Sequence, residues 1–345
     1  MKSIFLGGNA MAKKLLVFGV LILVFALILT GCAKKEPEGL KRVRLNEVTH
    51  SVFYAPLYVA MNLGLFEEEG IDLEYTTGQG ADHVMTALLS GQADIGFMGP
   101  EASIYVYNQG QEDYAVNFAL LTQRDGSFLV AREPMPDFKW EDVRGKSIIG
   151  GRPGGVPLMT LEYVLKNHGL IPGQDVEVLT HIQFALMAGA FTGGEGDFVT
   201  LFEPVATALE LEKQGYVVAS VGASSGEIPY TAFCAAKSLI EKDPELIEAF
   251  TRAIYKGQVW VQEHSPREIA EVIQPSFPDS DLDTLTLVAQ RYMEIDAWRP
   301  NPFFSEEAFE RLQDVMEMAG ELERRAPYDA LVTNEFANKV MAGTE

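Results

Sequence analysis

Apolar and polar positions recur along this chain in two periods that take turns. Residues 43–48 alternate weakly and predict a first strand. Residues 55–63 are apolar all round behind Pro56 and predict a buried helix. Gly64 and a Glu-rich stretch to Gly70 interrupt, and 71–75 alternate again as a strand. Ala81, Val84, Met85 and Leu88 share one helical face, closed by Gly91. A short strand follows over 93–98, and Pro100 opens another helix.

The alternation restarts at Lys146 with a strand, a glycine-rich stretch over 150–155 and a helix over 157–167. Further strands are predicted over 176–179, 198–201 and 216–221, with a helix from Pro204 between the last two. From Asp243 the pattern is mostly helical: 244–263, 266–274, 281–295 and 305–319. Strand and helix in turn predict an α/β fold with largely parallel sheets, in two units, followed by a helical tail.

The N-terminus follows a different rule. Lys13 and Lys14 precede an unbroken apolar run from Leu15 to Leu29, then Thr30, Gly31 and Cys32. A basic segment, a short apolar core and small residues before a cleavage point make a secretory signal. The Leu-Thr-Gly-Cys end resembles a bacterial lipobox, which implies that Cys32 is the lipidated first residue of the mature chain. The run is about 15 residues, short of the roughly 20 that cross a bilayer. Residues 1–31 are therefore set apart as a signal peptide and 32–42 as a polar tether. The expected location is the extracytoplasmic face of the cell membrane, lipid-anchored. Met11 is as good a start as Met1.

The remaining 314 residues suffice for two domains. Loss of Lys2, Lys13 and Lys14 takes the formal net charge from −22 to −25. So acidic a surface repels nucleic acid and anionic head groups. Cys234 has no partner once Cys32 is acylated, so no internal disulfide is expected, and it reads as a small buried apolar residue. The five histidines have no metal-ligand spacing, and no Cys-x-x-Cys occurs. No metal or cofactor is expected.

Four ordered stretches carry a resemblance. FYAPLYVAMNLGLFEEEGIDLE from Phe53, LLSGQADIGF from Leu88, VRGKSIIGG from Val143 and FEPVA from Phe202 resemble the substrate-binding lipoproteins of ABC importers, in the nitrate/sulfonate/taurine and thiamine-pyrimidine (SsuA/THI5-like, NMT1) branch. The resemblance covers roughly residues 43–265. It implies a type II periplasmic-binding-protein-like fold: two α/β lobes joined by a hinge of two crossovers, closing on a ligand, with a helical C-terminal tail. Lobe 1 is placed at 43–124 and 230–345, lobe 2 at 127–225. The crossovers are placed near 123–129 and 222–230. It also implies a permease and an ATPase as partners.

Four loops follow a strand and open a helix, where free N–H groups face a ligand: 48–54, 77–82, 98–101 and 150–157. They supply the candidates Ser51, Phe53 and Tyr54; Gln79 and Gly80; Gly99 and Glu101; and Arg152, Gly154 and Gly155. Phe53 and Tyr54 are expected to sandwich a ring. Arg124 and Asp125 fall in the first crossover, and Glu203 starts the helix after 198–201. No Gly-Lys-Ser/Thr follows Gly155, so a phosphate-binding loop is excluded.

Acidic candidates outnumber basic ones. An oxyanion wants bare helix N-termini or arginine, and Glu101 would compete with it. The balance points to a neutral or cationic heterocycle such as a thiamine-precursor pyrimidine. The alternative is a sulfonate- or nitrate-type anion. Catalysis is disfavoured, because no nucleophile sits beside a base at recognisable spacing. A ligand sensor docking on a membrane kinase would use the same closing lobes.

Overall fold

Two five-stranded sheets of matching design carry the fold. The first has the order β2-β1-β3-β10-β4, with β1 Lys41–Glu47, β2 Ile71–Thr77, β3 Ile95–Met98, β4 Ala115–Thr122 and β10 Thr231–Ala236. The second has the order β7-β6-β8-β5-β9, with β5 Ser127–Ala131, β6 Ser147–Ile149, β7 Glu177–Leu179, β8 Phe198–Phe202 and β9 Tyr216–Ser220. In each, three strands run parallel and the fourth is antiparallel to both neighbours: β10 in the first, β5 in the second. Each antiparallel strand is the one the chain enters directly on arriving from the other sheet. The computed structural model describes residues 39–343; the signal segment, Cys32 and most of the tether lie outside the described residues.

The passage from β4 to β5 is four residues, 123–126, and the return from β9 to β10 spans 221–230. The return was expected to be extended from Gly222; it begins instead as a short helix, Val221–Ser225, capped by the Ser220 hydroxyl. The reason is contact between the two passages. A Cβ on Gly222 would lie 2.0 Å from the carbonyl oxygen of Asp125, so only glycine allows this approach.

Helices that matter for the site are α1 Ala55–Asn62, α2 Ala81–Leu89, α3 Glu101–Asn108, α4 Val156–Asn167, α5 Val205–Leu211, α6 Pro244–Glu263 and α7 Leu282–Glu294. The start of α6 is set by Asp243, whose carboxylate accepts from the Leu246 amide, with proline in the first turn. Its Gly257 lies against α1, where a Cβ would sit 2.4 Å from the Pro56 carbonyl oxygen. The tail thus packs on the first sheet's helices. One apolar core runs from β1 and α1 through Phe53 to Phe128 and Val199 of the second sheet.

Candidate functional site

A cavity of about 640 Å³ lies between the two sheets. Its walls are the segments that leave the carboxyl ends of strands. From the first sheet come 48–51 after β1, 77–83 after β2, and Gly99 and Glu101 after β3. From the second come 150–157 after β6, 180–188 after β7 and 202–205 after β8. Open α/β sheets place ligands at this end, because helix N-termini and loops converge there.

Nine of the thirteen sequence candidates fall in the lining: Ser51, Tyr54, Gln79, Gly80, Gly99, Glu101, Arg152, Gly155 and Glu203. Phe53, Arg124, Asp125 and Gly154 do not. Phe53 points away from the cavity into the core, fully buried between Tyr54, Phe202, Tyr230 and Tyr292 at ring separations of 5.2–5.6 Å. A Cβ on Gly126 would meet its ring, and its carbonyl accepts from Trp298 Nε1 at 2.8 Å. It is a packing residue, not one face of a ring sandwich. Arg124 turns toward Asp296 at 3.9 Å. Asp125 is buried in the β4–β5 passage, where Oδ1 accepts from the amide and hydroxyl of Ser127. Burial pushes its carboxyl up to about 7. Gly154 uses its carbonyl to accept from Tyr105 at 3.0 Å.

Three carboxylates line the cavity. Asp82, in the first turn of α2, pairs across it with Arg152 at 3.0 Å, both about half exposed. Glu203 is buried and fully engaged. Its oxygens accept from the Thr207 amide and hydroxyl at 2.8 Å each and from Arg291 Nη1 of α7 at 2.8 Å. Arg291 also reaches Glu210 and Thr207. The expectation that Glu203 offers its carboxylate to a ligand is therefore corrected: that group caps α5 and holds the tail. Its backbone carbonyl accepts from the Ser51 hydroxyl at 2.7 Å, a bond between the two walls.

Glu101 differs from both. It is 3% exposed, lines the cavity, and has no ion pair among the described residues. Its Oε2 has no hydrogen-bond partner. Burial pushes its carboxyl up to about 7, although the amides of Glu101 itself, Val156 and Ala102 and the charge of Arg152 pull the other way. Val156 is the first residue of α4, on the opposite wall. Two helix N-termini, one from each wall, thus act on one carboxyl.

Backbone geometry marks the same place. Gln79 adopts φ 59, a left-handed conformation that non-glycine residues rarely hold. Residues held in sparsely populated conformations cluster at ligand sites. Behind Val48, His50 presents Nδ1 to Glu47 at 3.0 Å and Nε2 to the Ser276 carbonyl at 2.9 Å. Both partners accept, which favours the charged ring, and Glu47 raises its pKa. Glu47 is itself buried and also accepts from Tyr58 and Thr77.

The sequence reading missed the 180–188 wall with Ile182 and Phe184, and also His50, Asp82, Thr200 and Tyr230. The signal for the wall was available: it follows the predicted strand at 176–179, and strand ends form these sites. It was hidden because no regular helix pattern follows β7.

Comparison with known proteins agrees with this geometry. The chain is 45% identical over 322 residues to YtlA of Bacillus subtilis (strain 168), a protein provisionally designated a binding protein, covering 93% of this chain and 95% of that one. Among solved structures, the ligand-binding component of an ABC-type import system from Staphylococcus aureus with zinc bound superposes at a TM-score of 0.71 with 15% identity, covering 87% of this chain and 99% of the other. The alkanesulfonate-binding protein SsuA from Xanthomonas axonopodis pv. citri, bound to MOPS, superposes at 0.69 with 14% identity over 85% and 98%. The desulfurization enzyme DSZB shares the fold at 0.64 with 15% identity over 88% and 100%, so the architecture alone does not separate binding from catalysis. The NMT1-like family matches residues 42–274; the chain belongs to the NMT1-like family and has the periplasmic-binding-protein fold.

Proposed function

We propose that this protein captures a small molecule between its two sheets and hands it to an ABC permease and ATPase at the extracytoplasmic face of the membrane. In this reading Cys32 carries the lipid, and lobes 43–124 with 230–345 and 127–225 close about the passages at 123–126 and 221–230. The observation that carries it is the cavity at the strand ends with Glu101 at its wall. A buried carboxyl oxygen without a partner, here Glu101 Oε2, is costly unless something meets it. A ligand N–H group or cation would do so.

The ligand is thus read as a neutral or cationic heterocycle, of which a thiamine-precursor pyrimidine is one. Asp82 and Glu203 are paired already, which leaves Glu101 as the lining carboxylate able to accept. An oxyanion would have to enter beside it.

Binding rather than catalysis is supported by what the nucleophile candidates do. The Ser51 hydroxyl donates to a carbonyl, so no base activates it. Cys234 lies within β10, fully buried, its thiol pushed up to about 12. Among the described residues no helix is long and apolar enough to cross a membrane. Membrane attachment would then rest on Cys32.

The test is isothermal titration of the chain from residue 33 against an aminopyrimidine, a flavin, taurine and nitrate. Tightest binding by a ring compound supports the reading. Tightest binding by taurine or nitrate overturns the ligand class. Retention of a Cys32→Ser variant in the membrane fraction after signal cleavage would overturn the lipid anchor.

A further inference from the structure

The turn Phe184–Leu186 exposes apolar side chains where a protein ordinarily hides them. None of its three residues is buried; Phe184 is 46% exposed and Leu186 60%. The next residue, Met187, is buried and starts a short helix that packs under β8. The turn is therefore fixed to the sheet at its C-terminal end while its own side chains stay partly open to solvent.

Phe184 lines the cavity. Its ring lies 5.6 Å from that of Phe202, tilted by 54°. Phe202 in turn contacts Phe53 at 5.6 Å and Tyr230 at 6.1 Å. A series of aromatic rings thus runs from the core through Phe202 and ends at Phe184 on the cavity wall. Val205, 43% exposed, and the buried Ile182 and Met187 line the same side. Isolated apolar residues at a surface need no explanation. An exposed ring that continues a buried aromatic series, inside a cavity, presents a face for stacking.

Size points the same way. The cavity, about 640 Å³, lies within the range of roughly 300–1,000 Å³ that encloses ligands of drug size. A small head group at Glu101 leaves most of that space, and the wall bordering it carries the apolar Ile182, Phe184 and Met187 beside the polar Thr180, His181 and Gln183.

We infer that Phe184 is the specificity-determining residue for the body of the ligand: a flat apolar or aromatic ring stacks on it while an N–H group meets Glu101. The inference rests on the cavity being the ligand site and deepens the ligand class proposed above. The residues divide the work. Glu101 selects the sign and donor character of the head, and Phe184 selects for a planar body.

The test uses two ring probes, 4-amino-5-hydroxymethyl-2-methylpyrimidine and riboflavin, and one probe without a ring, taurine. Each is titrated into the wild type, Phe184→Ala, Phe184→Trp and Glu101→Gln, with the melting temperature of each unliganded variant as the control for folding. The expected result is a loss of about tenfold or more for a ring probe in Phe184→Ala, recovered in Phe184→Trp, with unchanged melting temperature. Equal affinity of a ring probe for Phe184→Ala and the wild type overturns the inference. So does failure of both ring probes to bind the wild type at millimolar concentration. A ring probe that weakens in Phe184→Ala but not in Glu101→Gln leaves this inference standing and removes the role given to Glu101. Taurine binding tighter than either ring, and tighter still in Glu101→Gln, overturns both.

Discussion

The wall built from β3 and α3 holds Glu101, and the wall built from β8 and α5 holds Glu203. Both are buried, at 3% and 1% exposure, and both sit where a strand gives way to a helix. Their surroundings differ. Glu203 has Thr207 and Arg291 on its oxygens. Glu101 has an oxygen without a partner and a carboxyl pushed up to about 7. A carboxylate at a helix start is thus ambiguous in a sequence. What decides its role is a cation from far along the chain, here Arg291 on a tail helix 88 residues beyond Glu203. The completed cluster holds structure together, and the incomplete one is the group proposed to meet a ligand.

The largest effect separates the two by stability. Glu203→Ala leaves Arg291 half-satisfied in a site where its side chain is 18% exposed. Removing one partner of a buried pair costs roughly 3–5 kcal/mol, and the remaining bond to Glu210 places this case near about 3 kcal/mol. Urea unfolding at neutral pH reads the loss. A loss below about 1 kcal/mol would remove the contrast with Glu101.

Glu101→Gln is expected to act in the opposite direction. A carboxyl whose folded pKa lies above its unfolded value binds more protons when folded. It adds stability below the unfolded pKa and loses it as pH rises. For Glu101 the window runs from about 4.5 to about 7, and for Asp125 from about 3.8 to about 7. The His50 contribution is likewise present below about 6.5 and lost as pH rises through its raised pKa. The unliganded wild type should therefore melt lower at pH 8 than at pH 5. Glu101→Gln should flatten that slope and be the more stable at pH 8, by about 3 kcal/mol at one pKa unit per 1.36 kcal/mol. An identical slope in wild type and variant would contradict the burial assigned to Glu101.

These two carboxylates also show how far the sequence is readable. The strand and helix periods placed most elements, and α6 falls on the expected residues because its signals are local: Asp243, Pro244 and an amphipathic stripe. β4 was missed because all eight of its residues are buried, so no alternation shows. β10, also buried nearly throughout, was missed for the same reason. Loops after strands were legible as cavity walls, which recovered Ser51, Gln79, Glu101 and Arg152. Side-chain direction was not. Phe53 and Tyr54 are adjacent in a single turn and both belong to the core, yet only Tyr54 also reaches the cavity lining. Partners distant in sequence, such as Arg291 for Glu203 and Asp82 for Arg152, have no local signal at all.

The smallest effect belongs to the third carboxylate. The Asp82–Arg152 pair is about half exposed at each partner, and exposed pairs contribute roughly 0–1 kcal/mol. Asp82→Asn should change ligand affinity by less than about fivefold, and the change should shrink in high salt. A larger, salt-insensitive loss would mean that Asp82 touches the ligand and that the division between paired and unpaired carboxylates fails.

The most direct measurement is the affinity of an aminopyrimidine for the wild type and Glu101→Gln at pH 6 and pH 8. Comparing the two proteins at each pH cancels the titration of the ligand itself. If Glu101 accepts from the ligand, its loss weakens binding at pH 8 by about tenfold to a hundredfold, since bonds to a charged group contribute roughly 1.5–3 kcal/mol. At pH 6 the wild-type carboxyl is mostly protonated and the difference between the two proteins should narrow. Equal affinity of the two proteins at both pH values, or tighter binding by Glu101→Gln at pH 8, would contradict the account.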